Sequence, residues 1–441
     1  MRLHYSAGVA VTLLAAALLS APAGVPDYRA GSLAKQEPQA IYSADLHDPW
    51  NRIFYLLFTR TVQTRLAEDF KGKGPFVPTM VMGNPSLLAT SQTFERIENG
   101  DRAIDPLYPN FLSSTGSAAI LTDPGFSEMK QALREACSET SPRLPLARAL
   151  MQADVWAAYN IVRWSQADKG QMGEHARALM PLLDQFIRKL ALSSDEIAAL
   201  PHNYQASQSS QNLPLVFDEK SGWMEVEWFP ERSHDREAGN RHAARIFLKP
   251  TATPQSFLKQ VNGRIQTNQD PLPGGIQGLR GAALITEVLL IDRSGRVVPS
   301  PLISDVQLRT VTRDGHGNFQ SSTVTEFELS RRAMLSDPAS GGFIHRGETE
   351  PAYLPSSGND FTFASRMITE PEPKPPVLGT LRRRCESCHF ESTVFTFQIV
   401  QAPGHPTFPV RQLRPSDDRR ALDVANQKMQ AKDFKSLHLE E

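Results

Sequence analysis

The sequence is poor in cysteine and has no excess of charge of either sign. Only three of its 441 residues are Cys, too few for the disulfide scaffolds on which small secreted domains depend. Lys and Arg together number 47 against 48 Asp and Glu, a formal net charge of −1. Nucleic-acid-binding proteins usually carry a basic excess. We therefore expect no nucleic-acid partner, and the charge gives no reason to expect binding to an anionic membrane.

The sequence also lacks the motifs of common nucleotide-binding and hydrolase folds. It has no phosphate loop, no dinucleotide fingerprint and no Gly-x-Ser-x-Gly elbow. The glycine-rich turn at 274–278 has no Lys, and no helical pattern follows it. We find no internal repeat, so a solenoid or propeller is not expected.

The first 23 residues have the pattern of a secretory signal peptide. Arg2 gives a short positive start, 7–19 is an apolar core, and 21–23 reads Ala-Pro-Ala, a small-x-small cleavage pattern. An uncleaved membrane anchor is the alternative. No second stretch of about 18 apolar residues follows, so we expect no membrane span after cleavage. The sequence therefore predicts a protein outside the cytoplasm, periplasmic or secreted.

The remaining pattern predicts an α+β fold, with a mainly helical region at 24–210 and a β-rich region at 211–370. Asp48 and Pro49 are typical of a helix start, and apolar residues recur at helical spacing farther on. Helices are predicted over 126–137, 144–165, 174–192 and, as a short turn, 194–201. Strands are predicted over 213–229 (two, around a turn at 220–222), 245–248, 282–291, 297–298, 305–312 and 321–329. We interpret 71–125 as mostly loop and 371–441 as a separate C-terminal segment.

One pentapeptide carries a specific chemistry: Cys385-Glu386-Ser387-Cys388-His389. With so few Cys and His in the chain, a Cys-x-x-Cys-His would arise by chance on the order of 0.0005 times. The motif resembles the haem-attachment site of c-type cytochromes. The resemblance implies one covalent haem c, with thioethers at Cys385 and Cys388 and His389 as the proximal iron ligand. Haem of this type is attached outside the cytoplasm, which agrees with the signal peptide.

Three arginines come directly before this motif. Guanidinium groups at Arg382 and Arg384 would suit the haem propionates, since they form charge-assisted hydrogen bonds with carboxylates. The alternative is a solvated surface run without a partner. We therefore treat Arg382 and Arg384 as candidate cofactor-binding residues.

The sequence does not decide which residue is the distal iron ligand. Met429, in a predicted helix at 419–437, would favour electron transfer, but a Met at helical spacing also suits core packing. His405 lies in a Gly-His-Pro turn, where an exposed loop histidine is the alternative. Met367 and His345 are weaker candidates.

The resemblance covers five residues, and the motif comes late in the sequence, so we do not expect the small class I cytochrome fold. The Cys pair would alternatively form a Cys385–Cys388 disulfide, part of a zinc site, or a thioredoxin-like redox pair. A second Cys-x-x-Cys or a His-x₃-His, expected for zinc, does not occur. Cys137, the third cysteine, is predicted to be a buried small apolar residue.

Three functions follow from these alternatives. The first is a monohaem c-type protein that passes electrons to a redox partner protein. The second is a haem enzyme or sensor with an open distal site for peroxide or a gas. The third is a β-rich extracellular binding protein with a Cys385–Cys388 disulfide. Whether the protein is an enzyme depends on which of these holds.

Overall fold

The fold is α+β, as predicted, with helices mainly in the N-terminal half and an antiparallel sheet in the middle. The computed structural model describes residues 41–62, 101–104, 119–121, 123, 125–165, 170–229, 242–267, 278–317, 319–347, 351–354, 377–380, 412–416, 423–426 and 429. The helices are α1 (Pro49–Phe58), α2 (Gly125–Ser138), α3 (Pro145–Ser165), α4 (Gln171–Leu190), α5 (Ser194–Ala198), α6 (Asn203–Gln211), α7 (Pro254–Gln266) and α8 (Arg331–Ser336). The strands are β1 (Thr59–Val62), β2 (Asp101–Ile104), β3 (Met224–Phe229), β4 (His242–Pro250), β5 (Leu279–Ile291), β6 (Val297–Arg313), β7 (Phe319–Leu329), β8 (Phe343–Gly347), β9 (Pro351–Leu354), β10 (Val377–Thr380) and β11 (Gln412–Pro415).

Several helices begin at side chains that bind the first free backbone N–H groups. The predicted start at Asp48 is confirmed, because its Oδ1 accepts a hydrogen bond from the Trp50 N–H at 2.8 Å. Ser193 and Glu196 form a capping box that begins α5. Thr253 caps α7, whose first residue is Pro254. The predicted helices at 126–137, 144–165 and 174–192 correspond to α2, α3 and α4.

The main sheet has seven antiparallel strands in the order β11-β3-β4-β5-β6-β7-β8. Strands β3 to β8 follow one another as a meander, and β11 joins the β3 edge from much later in the chain. Among the described residues, β1 pairs with β2 and β9 pairs with β10, each as a separate antiparallel pair. The β1–β2 pair shows that the prediction of mostly loop over 71–125 misses a strand at Asp101–Ile104.

Two strand predictions differ from the structure. The stretch 213–218 is a loop, and only β3 forms where two strands were expected, because the Val216 N–H donates to the Pro214 carbonyl in a tight turn. The short predictions at 297–298 and 305–312 are one strand, β6. Its pairing with β5 continues across register shifts beside Glu287, which accommodate the prolines near its start.

Two apolar clusters join the helices to one another and to the sheet. The helical core lies among α1, α2, α3 and α4 and includes the fully buried rings of Trp156 and Phe186. The inner core lies between one face of the sheet and α3, α5 and α6, and includes Leu150 and Phe327. Burial of a large apolar side chain contributes about 1.5–3 kcal/mol to folding. Helix α3 lines both clusters, so the helical region and the sheet pack as one body there.

The opposite face of the sheet is covered in part by α7. Phe257 and Val261 of this helix pack on Leu248 and Leu279, and Leu413 of β11 belongs to the same outer core. The helix follows β4 directly, and Pro254 and the Thr253 cap fix its start. Neither α6 nor α7 was predicted from the sequence.

Three carboxamides, two of them buried and one partly buried, join helices to strands. Each accepts a hydrogen bond from the backbone N–H of one strand residue and donates one to the carbonyl of the same residue, as a neighbouring strand would. The pairs are Gln152 of α3 with Ile291, Asn203 of α6 with Ile303, and Asn262 of α7 with Leu413, at 2.7–2.9 Å. Buried backbone groups are costly to leave unpaired, so these contacts set how each helix lies on the sheet.

A close approach of α6 to the turn before β8 requires glycine. Gly341 has φ +78°, and a Cβ there would lie 2.0 Å from Ser207 Oγ and 2.3 Å from the Asn203 carbonyl oxygen. Both the left-handed backbone and the contact exclude larger residues. This glycine therefore allows α6 to reach the end of the sheet where β8 begins.

Candidate functional site

The predicted haem-attachment residues lie outside the part of the chain that the structure describes. This holds for Cys385, Cys388, His389, Arg382, Arg384, His405 and Met367. The described elements nearest in sequence are β10, which ends at Thr380, and β11, which begins at Gln412. The predicted 1–23 signal peptide is also outside the described residues. Haem attachment through this motif therefore stays a prediction.

Two of the distal-ligand candidates are described. Met429 is partly buried and packs against the helical core, beside which Val424 and Ala425 are fully buried. Its position is the one expected of a core residue. His345 is exposed on β8, with its ring centroid 5.1 Å from that of Phe327.

Cys137 is a free, half-buried thiol on α2. Its Sγ lies 3.9 Å from the Leu182 carbonyl oxygen. Burial raises the pKa of the Cys137 thiol to about 11, although the nearby Lys189 acts in the opposite direction. A thiol that stays protonated at neutral pH is a poor nucleophile. Cys137 was predicted to be buried, and in the structure it is half-buried and packs against the helical core.

The described residues contain a buried ion cluster on the inner face of the sheet. We call Glu225, Arg245 and Glu287, on β3, β4 and β5, the arginine cluster. Arg245 binds Glu225 through two hydrogen bonds, Nε to Oε1 at 3.1 Å and Nη2 to Oε2 at 2.7 Å. It donates one longer bond to Glu287, from Nη1 to Oε2 at 3.3 Å. One guanidinium thus serves two buried carboxylates.

Aromatic rings cover this cluster. The Arg245 guanidinium carbon lies 4.9 Å from the ring centroid of Phe217 and 5.5 Å from that of Phe247. Tyr204 of α6 packs edge-on against Phe217, and its hydroxyl donates to the Pro214 carbonyl at 2.7 Å. The loop 212–218 is thereby held over the cluster. Phe217 nevertheless stays 39% exposed.

A second buried ion pair joins the start of the described chain to α3 and α8. Arg331 donates to Asp154 from Nη2 at 2.5 Å and from Nε at 3.3 Å, and the Tyr42 hydroxyl donates to the same carboxylate at 3.3 Å. Burial, followed by the negative Asp154, raises the pKa of Tyr42 well above its ordinary value. Tyr42 therefore remains a hydrogen-bond donor, and the group is suited to a structural role.

Acidic side chains also line the outer face of the sheet at β6 and β7. Asp305 and Glu328 are opposite each other in the register, and Glu326 is opposite Gln307. All three carboxylates are buried, and Gln307 Nε2 donates to Asp305 Oδ2 at 3.0 Å. This acidic row makes one part of the face polar, whereas the part beneath α7 is apolar.

These charged groups were not identified from the sequence. Polar residues alternate within β6 and β7, which is a signal that they share a face, but it does not show that the face is buried. Arg245 and Glu287 are 42 positions apart, so only the strand order brings them together. Within the described part of the chain, no group of three or more His, Cys, Asp and Glu side chains is arranged to hold a metal ion.

No protein-family model, curated protein or solved structure matches this chain. Among the residues that the structure describes, no helix combines the length and the apolar character needed to cross a membrane.

Proposed function

We propose that this protein is an extracytoplasmic monohaem c-type protein that passes electrons to a redox partner protein. Cys385 and Cys388 would hold the haem through thioethers, and the His389 imidazole would bind the iron on the proximal side. Arg382 and Arg384 would pair with the propionates. The haem, when bound, supplies a one-electron redox centre.

The observation that carries the proposal is the pentapeptide 385–389, together with the predicted signal peptide at 1–23. The two features are independent, and haem c attachment requires both the motif and export. Cys137 is a free thiol on α2, so it does not form a disulfide with either motif cysteine. Thioethers to one haem and a Cys385–Cys388 disulfide remain as the two arrangements for the motif pair.

The packing of Met429 favours a second candidate function. A side chain that packs on the helical core is less suited to bind iron than the sequence alone suggests. An iron without a Met ligand would have its sixth position filled by another residue such as His405, or open to peroxide or a gas. A haem enzyme or sensor is therefore the alternative to electron transfer.

The first experiment is a pyridine haemochrome spectrum and an intact mass on protein made with a periplasmic haem c maturation system. The proposal expects a c-type spectrum and a mass increase of one haem. Cys385→Ala with Cys388→Ala should abolish haem that survives denaturation, and Cys137→Ala, the matched control, should retain it. A colourless protein two hydrogens lighter than its reduced form would instead indicate a Cys385–Cys388 disulfide and a binding protein.

The ferric and ferrous visible spectra of the same sample separate the two haem functions. Six-coordinate iron in both states supports electron transfer. Five-coordinate ferrous iron that binds carbon monoxide supports the enzyme or sensor.

A further inference from the structure

The arginine cluster has more negative than positive charge. Glu225 and Glu287 carry two negative charges when ionised, against one on Arg245. The side chains of Glu225, Arg245 and Glu287 are only 8%, 13% and 9% exposed. Glu225 takes the two-bond contact with the guanidinium, and Glu287 is left with a single long one. A buried charge that is only partly compensated is costly, so Glu287 is the member suited to carry a proton.

The other charged groups on this side of the sheet do not change that assignment. Glu227 lies farther along β3 and is opposite the exposed Arg414 of β11. Lys249 of β4 is directed to the Trp223 ring, 5.8 Å from its centroid. From the helical side, Tyr204 presents a hydroxyl that binds the Pro214 carbonyl. Burial raises the pKa of Glu287, and Glu225 acts in the same direction, whereas Arg245 lowers it.

The loop 212–218, which covers the arginine cluster, is partly exposed and is therefore suited to move away from the cluster. Phe217 stacks on the Arg245 guanidinium but is 39% exposed, and its neighbour Leu215 is 50% exposed. The loop is held at two buried residues, Leu213 and Val216. Lifting the Phe217 ring would break its edge-on contacts with Tyr204 and Phe247 and would let water reach the carboxylates.

We propose that the arginine cluster and the loop 212–218 form a proton-operated switch. With Glu287 protonated, the cluster is neutral and Phe217 stays closed over Arg245. When Glu287 ionises, its carboxylate requires hydration, and the loop opens to admit water. This switch does not depend on haem, so its failure leaves the proposed function unaffected.

The sign of the pH dependence follows from the raised pKa of Glu287. A group with a raised pKa in the closed state keeps that state stable at low pH, and the stabilisation is lost as the pH rises through the raised pKa. The loop should therefore be closed in acid and open as the pH increases. Between the ordinary glutamate pKa and the raised pKa, the ratio of open to closed loop grows about tenfold for each pH unit, and above the raised pKa it levels off.

Hydrogen exchange by mass spectrometry on the full chain tests this switch. After correction for the intrinsic exchange rate, the peptide covering 212–218 should lose protection with rising pH. Glu287→Gln, which is neutral at every pH, should remove this dependence. Glu225→Gln should move the transition to lower pH, since it removes the neighbouring negative charge. Glu196→Gln, at an ion-paired glutamate on α5, is the matched control and should leave the transition in place.

The proposal fails if the wild-type peptide shows no transition, or if Glu287→Gln shows the same one. It also fails if Glu225→Gln leaves the midpoint unchanged. Because the Glu225 variant keeps the titrating group, it tests the switch even where Glu287→Gln does not fold.

Discussion

At the scale of single residues, buried carboxamides hold the helices to the sheet. Gln152 is fully buried, accepts a hydrogen bond from the Ile291 N–H at 2.8 Å and donates one to the Ile291 carbonyl at 2.9 Å. It also donates to the Ile187 carbonyl of α4 at 3.3 Å. One side chain thus binds α3 to both α4 and β5. An apolar residue of the same size would fill the space but leave the backbone groups of Ile291 without these partners.

We predict that Gln152→Leu destabilises the fold by about 2–6 kcal/mol, because a buried donor and a buried acceptor each cost about 1–3 kcal/mol when left unpaired. Urea denaturation followed by tryptophan fluorescence measures this change. Gln205→Leu, at an exposed position on α6, is the control and should change stability by less than about 0.5 kcal/mol. Equal effects of the two substitutions would contradict the role assigned to Gln152.

Contacts of single side chains could be predicted from the sequence only where the partner residue is close in the chain. The cap at Asp48 binds two residues away, and its position before Pro49 was sufficient to predict it. Gln152 and Ile291 are 139 positions apart, and Arg331 and Asp154 are 177 apart. Because a sequence pattern does not tell which distant strand passes beside a helix, neither contact could be predicted. The Cys-x-x-Cys-His motif is local, so the sequence was sufficient to predict haem attachment there, and this stays a prediction because 385–389 lie outside the described residues.

At the scale of helices and strands, the predictions are confirmed where the buried residues lie on one side of the element and recur at a regular spacing. Helices α2, α3 and α4 present apolar stripes to the helical core, which the 3.6-residue spacing shows. Helix α6 was not predicted because its buried positions include Asn203 and Ser207. With polar residues at these positions, the sequence shows no apolar stripe. Strand β6 was divided in two because Pro299 and Pro301 interrupt its pattern.

The hairpin between β5 and β6 depends on Asp292. Its Oδ1 accepts hydrogen bonds from the Ser294 N–H at 2.9 Å and the Arg296 N–H at 3.0 Å, and Oδ2 accepts from the Arg296 guanidinium at 3.0 Å. Burial raises the pKa of Asp292, but these bonds from Ser294 and Arg296 outweigh it and hold the pKa below its ordinary value. Ionised Asp292 therefore stabilises the turn that sets the register of both strands.

We predict that Asp292→Asn lowers stability by about 1 kcal/mol at pH 7, through loss of charge-assisted bonds. Because the pKa of Asp292 is lowered by folding, its contribution is complete above the ordinary aspartate pKa and disappears as the pH falls through the lowered value. Stability curves of wild type and variant should therefore converge in acid. Asp195→Asn, at an exposed site on α5, should follow the wild type throughout. Curves for Asp292→Asn that stay parallel to the wild type would exclude this linkage.

At the scale of the whole molecule, distant parts of the chain return to the same cores. Leu413 of β11 is buried in the outer core beneath α7. Val424 and Ala425 are buried against the helical core, which also contains Trp50 near the start of the described chain. The sequence predicted the helical and β-rich regions. It did not predict that C-terminal residues are buried in the same cores as residues much earlier in the chain, because the pairing of β11 with β3 depends on strand order. In the sequence, the predicted haem motif at 385–389 comes after β10 and before Leu413, Val424 and Ala425, which are buried in the two cores.

This arrangement makes Met429 a test of how the proposed haem is ligated. If Met429 is a core residue, Met429→Leu keeps volume and apolar character, and stability should change by less than about 1.5 kcal/mol. The visible spectrum and reduction potential of the haem protein should then equal those of the wild type. Met429→Ala should destabilise the fold more, because it removes packing from the helical core, and should likewise leave the haem spectrum unchanged.

A lower potential and an altered ferric spectrum in Met429→Leu would instead identify Met429 as the distal ligand, since loss of a thioether ligand lowers the potential of a haem. That result would also require the side chain to leave the helical core on which it packs.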